Sequence, residues 1–327
     1  MLRLALFACS FLLPVLSTPV LGLSPDADAS APVTDLSQLL VPGQHRVSLD
    51  VDGHDRRMIF VTPKGFKPGI ALPLVFFFHG AGGTAQQAAR TYGWMQKAEA
   101  KNFFVAFPEG MGARDDGGGV FHVWRDERGG SPMTISDVHF FEVLLDKLEA
   151  ALPVDAHRVY VTGFSNGAGM TFCLGAHFPD RIAAIAPVSS QSFVTATSLA
   201  RPLPVYYLTG TADPLIPFHG GPSAILTFPL RSGFSYPPVQ DSVDTWARLD
   251  GCPPSPHVVS DAGGVRVVRY GPGNGGSEIL FTTIEGNGHH WPDTVEPLPH
   301  FICGPTLDPF NATDRIWEFF VRHPLAR

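Results

Sequence analysis

The chain carries little charge and still less cysteine. Asp, Glu, Lys and Arg make up 16% of its 327 residues, and the acidic ones outnumber the basic ones 30 to 23. A formal net charge of −7 leaves no basic surface to track a phosphate backbone, which excludes nucleic acid as an expected partner. Four cysteines (Cys9, Cys173, Cys252 and Cys303) allow only a sparse crosslink. The apolar N-terminal stretch is short for a membrane span and is interrupted by Pro14 and Pro19, so no membrane association is expected of the mature protein. What the chain has instead is apolar content, 44% hydrophobic, with 34 glycines and 31 prolines. That mixture suits one large α/β domain with a substantial core and many loops, not disorder.

Residues 1–22 read as a secretory signal: Arg3, then the apolar LALFACSFLLPVL, then small-residue cleavage at Val20-Leu21-Gly22. Residues 23–42 read as a loose, flexible lead-in and 43–327 as a single folded domain. Export removes Cys9 and leaves three cysteines, hence one disulfide with three pairings. Cys173 falls in an apolar helical stretch and reads as core filling, so Cys252–Cys303 is the preferred bridge. Asn311-Ala312-Thr313 matches a glycosylation sequon.

The chain is organised around 158–170, RVYVTGFSNGAGM. Arg158 to Thr162 predicts a buried strand, Ala168 to Phe178 a helix, and Gly163-Phe164-Ser165-Asn166-Gly167 between them fits a G-x-S-x-G nucleophile elbow. A sharp strand-to-helix turn lifts a serine hydroxyl clear of the backbone, and the helix start faces it with free N–H groups. Upstream, His45 to Thr62 alternates about Asp52-Gly53 as a hairpin. Pro73 to Phe78 is continuously apolar, as a strand covered on both faces must be. It runs into His79-Gly80-Ala81-Gly82-Gly83, a glycine-rich turn able to present amides to a developing oxyanion. Ala81 and Asn166 are the expected donors, with Gly80 competing for the first place.

Tyr92 to Ala100 predicts a helix and Phe103 to Phe107 a strand, and 109–136 reads as a long surface loop whose Trp124 either lines a pocket or anchors the loop. Phe141, Leu144, Leu145, Leu148 and Leu152 recur at helical spacing and mark a core-facing helix. Short apolar strands follow at 182–188, 205–209, 265–270 and 278–284, and a closing helix at 312–321. Alternation of strands and helices implies an α/β fold, a doubly wound and mostly parallel sheet.

Ser165, Asp213 and His289 each stand just past a predicted strand, in the order serine, acid, histidine. Serine is a poor nucleophile near neutrality; an imidazole has to take its proton, and a carboxylate has to hold that imidazole in the right tautomer. A metal enzyme using His289, His290, Asp137 and His139 lacks ligand spacing, so neither metal nor cofactor is expected. A peptidase of the same fold would use the same triad but would carry a further specificity domain, for which no room is visible. A binding protein built on the fold would be expected to have lost a triad member.

The stretches HGAGG, GFSNGAGM, GTADPLIPFHGG, WARLDGC, GNGHHWP and GPTLDPFNATDRIWEFFVRHP resemble the secreted esterase family of poly(3-hydroxybutyrate) depolymerases and bacterial feruloyl esterases, from about residue 45 to the C-terminus. The resemblance implies an α/β-hydrolase fold, Ser165 as nucleophile, Asp213 as acid and His289 as base, with His290 at a variable position. It also implies a carboxylic-ester substrate. Relatives commonly place a cysteine near Tyr270 to pair with the one matching Cys252, and this chain has none there. Depolymerases of solid polyester often append a surface-binding domain; without one, feruloyl or acetyl esters of plant polysaccharide are the expected substrates, and hydroxybutyrate polymer or oligomers the alternative. Trp291 beside the base, and Trp124, are the expected stacking residues for an aromatic acyl group or sugar, with structural packing the alternative for both.

Overall fold

A computed structural model describes residues 32–114, 117–126, 128, 135–223, 235–294 and 299–326. The signal at 1–22, the first part of the lead-in and the middle of the 109–136 loop lie outside the described residues. The sheet has ten strands among those described. In chain order β1 is Gly43–Val51, β2 His54–Thr62, β3 Leu72–Phe78 and β4 Phe104–Pro108. A separate two-stranded ribbon joins β5, Met111–Gly112, to β6, His122–Val123. The main sheet continues with β7 (Val154–Phe164), β8 (Ala184–Val188), β9 (Val205–Gly210), β10 (His257–Ala262), β11 (Val265–Tyr270) and β12 (Ile279–Ile284). The spatial order is β1-β2-β4-β3-β7-β8-β9-β12-β11-β10. The six central strands, β4 to β12, are parallel, and an antiparallel hairpin flanks each side. This is the doubly wound, mostly parallel sheet that the alternation of elements predicts, and the α/β-hydrolase fold that the family resemblance implies.

Helices cover both faces. On one lie α3 (Asp137–Ala151), α4 (Asn166–His177) and α5 (Val239–Leu249); on the other lie α1 (Ala85–Thr91), α2 (Trp94–Lys101) and α7 (Ala312–Phe320). Strand β3 shows why its sequence does not alternate. Leu74, Phe76 and Phe78 enter the first core, and Val75 and Phe77 enter the second. The helix expected over 92–100 is α2, which starts at Trp94 after the left-handed Gly93; α1, just upstream, is unexpected. Between α5 and α7, α6 is a single turn, His300–Cys303.

The lead-in is not loose where it is described. Val33 bridges Val47, and a 3-10 turn over Leu36–Leu40 buries Leu36 and Leu39 in the first core. The sequon asparagine is also committed. Asn311 caps α7, accepting the Asp314 amide at 2.8 Å while donating to Asp293 Oδ2 at 2.6 Å. No described helix is long and apolar enough to cross a membrane.

Candidate active site

Because β7, β9 and β12 are parallel members of one sheet, their carboxyl ends share an edge, and the segment leaving each brings one polar side chain there. Ser165 follows β7 directly and adopts φ 56°, ψ −121°, a left-handed backbone that costs a non-glycine residue of order 1–3 kcal/mol. The elbow tolerates no bulk. A Cβ on Gly163 would come 2.5 Å from the Gly167 carbonyl oxygen and 2.8 Å from that of Phe78, and one on Gly167 would collide with the same end of β3. On the other side a Cβ on Gly80 would lie 3.3 Å from that of Ser165, so the glycine-rich turn passes directly against the serine.

Asp213 lies three residues past β9, and His289 five past β12. The two loops are tied by Thr211 N–H donating to the Ile284 carbonyl at 3.0 Å, Ala212 N–H to that of Asn287 at 2.9 Å and Gly286 N–H to the Thr211 hydroxyl at 2.9 Å. His289 Nδ1 donates to Asp213 Oδ2 at 2.7 Å, and both side chains are buried. Asp213 Oδ1 accepts the amides of Leu215 and Ile216 at 2.9 and 2.8 Å, so the carboxylate is fixed at both oxygens. The His289 ring lies 4.7 Å from that of Phe164, the residue preceding the serine, and its amide donates to the Cys303 carbonyl at 2.6 Å. Serine, histidine and aspartate therefore lie along one edge of the sheet, with the His289 ring against the residue that precedes the serine.

The glycine-rich turn is held from several directions. Gly110 N–H donates to His79 Nε2 at 2.9 Å, which makes Nδ1 the protonated nitrogen, donating to the Gly80 carbonyl at 2.8 Å. Burial, with the neighbouring His122 acting the same way, pushes the His79 imidazole down to about 4, so it stays neutral in this bridge. Gly82 N–H donates to the His122 carbonyl at 2.7 Å and Gly83 N–H to that of Gly80 at 3.0 Å. Those two amides are used up, while no such bond occupies the Ala81 or Asn166 amide among the described residues. Glu109 holds the His122 ring at 2.6 Å through Oε1 and accepts the Ala85 amide at the start of α1 through Oε2.

Residues 62–220 match the family model described as Esterase PHB depolymerase. The chain is 28% identical over 242 residues to Feruloyl esterase B of Piromyces equi, covering 72% of this chain and 42% of that protein. It is 25% identical over 289 residues to Feruloyl esterase D of Neurospora crassa, covering 84% and 85%. Among solved structures, the acetyl xylan esterase from Aspergillus awamori superposes with a TM-score of 0.58 at 15% identity, over 85% of this chain and 99% of that one, a likeness of fold. The chain is a carboxylic ester hydrolase.

Three expectations need correcting for this esterase. Trp291 is fully buried among Phe77 and Tyr92, with its indole N–H on the Thr313 hydroxyl at 3.2 Å, so it has no face left for a substrate. Trp124 is 3% exposed, packed edge-on against Phe78 with its indole N–H donated to the His79 carbonyl at 2.9 Å; of its two readings the anchor is the one the structure shows. The Cys252–Cys303 bridge does not form. Cys252 sits beside Ser277 and Ile279 at the entrance of β12, whereas Cys303 binds the His289 amide beyond its exit. A six-residue strand separates them by on the order of 15 Å, against the roughly 7 Å between Cα atoms that a disulfide allows. Burial meanwhile pushes the Cys252 thiol up to about 11.

His290 is turned away from this chemistry, its Nε2 on the Gly304 carbonyl at 3.0 Å and beside the Thr306 hydroxyl at 3.0 Å. Asp137 is bound to Arg56 at 2.5 Å and His139 lies at the surface near Asp52 and Glu142, so these two do not join the histidines. What the sequence reading missed is the rim. Phe121 lies against Gly82, Val120 beside it is 97% exposed, and Phe301 on α6, two residues from the carbonyl that holds His289, is 78% exposed.

Proposed function

We propose that the esterase acts through an acyl-enzyme, with Ser165 as nucleophile, His289 as general base and acid, and Asp213 as the group that orients the imidazole. Ser165 Oγ adds to the ester carbonyl as His289 Nε2 takes its proton. The amides of Ala81 and Asn166 bind the oxyanion, each worth about 2.7–4 kcal/mol of transition-state stabilisation. His289 then returns the proton to the departing alcohol. Water enters, gives a proton to His289 and attacks the acyl carbonyl, releasing the acid and restoring Ser165. The observation that carries this reading is the buried 2.7 Å bond between His289 and Asp213, set beside a serine in a left-handed elbow. Labelling by a fluorophosphonate tests it. Wild type is expected to label at Ser165 and to hydrolyse p-nitrophenyl acetate, and Ser165→Ala to do neither; full turnover by Ser165→Ala would overturn the reading.

Feruloyl or acetyl groups on plant polysaccharide are the proposed substrates, following the similarity to the two feruloyl esterases. The exposed apolar rim of Val120, Phe121 and Phe301 favours a second reading, a hydroxyalkanoate polyester or its oligomers, in line with the family description. Turnover of methyl ferulate, acetylated xylan and hydroxybutyrate oligomers, compared as kcat/KM, separates the two. Export with cleavage near Gly22 belongs to the same proposal; N-terminal sequencing of secreted protein still beginning at Met1 would refute it.

A further inference from the structure

Trp124 is held at both ends in a way that packing alone does not require. Its backbone N–H donates to Asn166 Oδ1 at 2.6 Å and its carbonyl accepts from Asn166 Nδ2 at 3.0 Å, so one carboxamide clasps both backbone polar groups of the residue. Its indole N–H, at the far end of the side chain, donates to the His79 carbonyl at 2.9 Å. Between these ends the ring is buried, T-shaped against Phe78 with centroids 4.9 Å apart. Asn166 follows the nucleophile and His79 opens the glycine-rich turn. A rigid planar group thus spans the two segments from which the oxyanion donors come.

We propose that Trp124 is a positioning residue that fixes the spacing of the two oxyanion donors, the Asn166 amide and the Ala81 amide; this rests on the serine-esterase reading above. Oxyanion donors act only when set within a few tenths of an ångström of where the charge develops, and an indole bonded at both ends resists changes in that separation. The Asn166 side chain has a second role here. By taking both backbone polar groups of Trp124, whose indole reaches His79, it joins the first residue of α4 to the turn two residues before Ala81. Trp124 acts through the amides and touches no substrate.

Trp124→Phe tests this, because it keeps the ring against Phe78 and the clasp on Asn166 while deleting the bond to His79. The expected result with p-nitrophenyl acetate is a kcat lowered roughly tenfold to a hundredfold with KM nearly unchanged. Affinity for phenylboronic acid, whose adduct with the Ser165 oxygen mimics the tetrahedral intermediate, should fall by the same factor. Asn166→Ala should act alike, and the double variant should be little worse than the poorer single one, since both break one strut. A lowered Tm with kcat and boronate affinity unmoved would overturn the proposal and leave Trp124 a packing residue. A raised KM with kcat unchanged would overturn it in favour of substrate contact. Should Trp124→Phe not fold, Asn166→Ala, which removes the clasp on Trp124 and adds no charge, takes its place: a lowered kcat and boronate affinity are again expected, and their staying unmoved again overturns the proposal. Fluorophosphonate labelling keeps the two claims apart: an unlabelled wild type rejects the serine mechanism itself, whereas a labelled wild type with an unimpaired Trp124→Phe rejects only the strut.

Discussion

Two buried aspartates stand at opposite ends of β9, and they are provided for differently. Asp213, past the exit, has three donors: His289 on one oxygen and the Leu215 and Ile216 amides on the other. Asp250 packs at the entrance, where Oδ1 accepts the Leu203 amide at 2.8 Å and Oδ2 has no hydrogen-bond partner among the described residues. Burial pushes Asp250 up to about 7, against the opposing pull of the Leu203 amide, Ser277 and Arg201. Both carboxyls lie beside the same strand and both are inaccessible to solvent. Burial of an acid therefore says little about function; the donors gathered around it, and what those donors do next, say much more.

The largest effects are expected where this contrast is broken at the site. Ser165→Ala and His289→Ala should abolish measurable turnover of p-nitrophenyl acetate while leaving the thermal transition nearly in place, since neither residue is central to a core cluster. Asp213→Asn should fold, because the carboxamide oxygen can still accept the two amides. It should slow kcat by about 10⁴-fold, because an NH₂ facing His289 selects the wrong tautomer. The same change at Asp250 should leave kcat within about twofold of wild type, as expected for a substitution away from the chemistry. Equal loss at the two positions would erase the distinction.

A smaller effect is expected in the helix that begins at the serine. Gly169 on α4 packs against the buried Asp126–Arg128 pair, whose Arg128 Nε reaches the two carboxylate oxygens at 2.9 and 3.0 Å and whose guanidinium lies over the Phe193 ring at 4.6 Å. A Cβ there would strike the Asp126 carboxylate and come 2.8 Å from Arg128 Nη2. Gly169→Ala should therefore destabilise by about 1–3 kcal/mol in urea denaturation despite alanine's better helix propensity. It should also slow turnover several-fold, because the pair is wedged against the helix whose first amide is a proposed oxyanion donor.

Most of the frame was legible because its elements are strongly patterned. Each central strand is an apolar run buried on both faces, and the α3 leucines repeat at helical spacing. Ser165, Asp213 and His289 were legible for a related reason: each follows such a run, so predicting the strand also placed the residue. Elements without an apolar signature escaped. Every residue of β10 is exposed, and nothing in HVVSDA separates an outlying strand from a loop. Helix α5 escaped too, although Val239, Val243 and Trp246 mark its inner face, since it starts directly after two prolines. The tryptophans misled because an aromatic beside a catalytic motif reads as a ligand platform when its neighbours are unknown. Phe77 and Tyr92, distant in sequence, are what enclose Trp291. The cysteine pairing failed likewise: spacing along the chain is silent on which end of β12 each thiol occupies.

The smallest effect on turnover should come from Asp250, whose effect on stability shows as a function of pH. The folded-state value of about 7 stands above the roughly 3.9 of an unfolded aspartate, so the native chain holds this proton where the unfolded chain has released it. Stability from this group is then fully present below about pH 4, falls as pH rises, and is lost once pH passes about 7. Asp250→Asn keeps an acceptor for the Leu203 amide and cannot ionise. Variant and wild type should accordingly melt at similar temperatures near pH 4, and the variant should gain steadily on wild type up to about pH 7, then hold its lead. The comparison has to be a difference between the two proteins, because His79 titrates in the opposite sense. Its folded-state value of about 4, below the usual histidine range, costs stability as pH falls from about 6.5. That contribution is common to both chains and cancels. A Tm difference that stayed flat from pH 4 to 8 would mean that Asp250 ionises normally in the folded protein, and that its missing donor carries no energetic consequence.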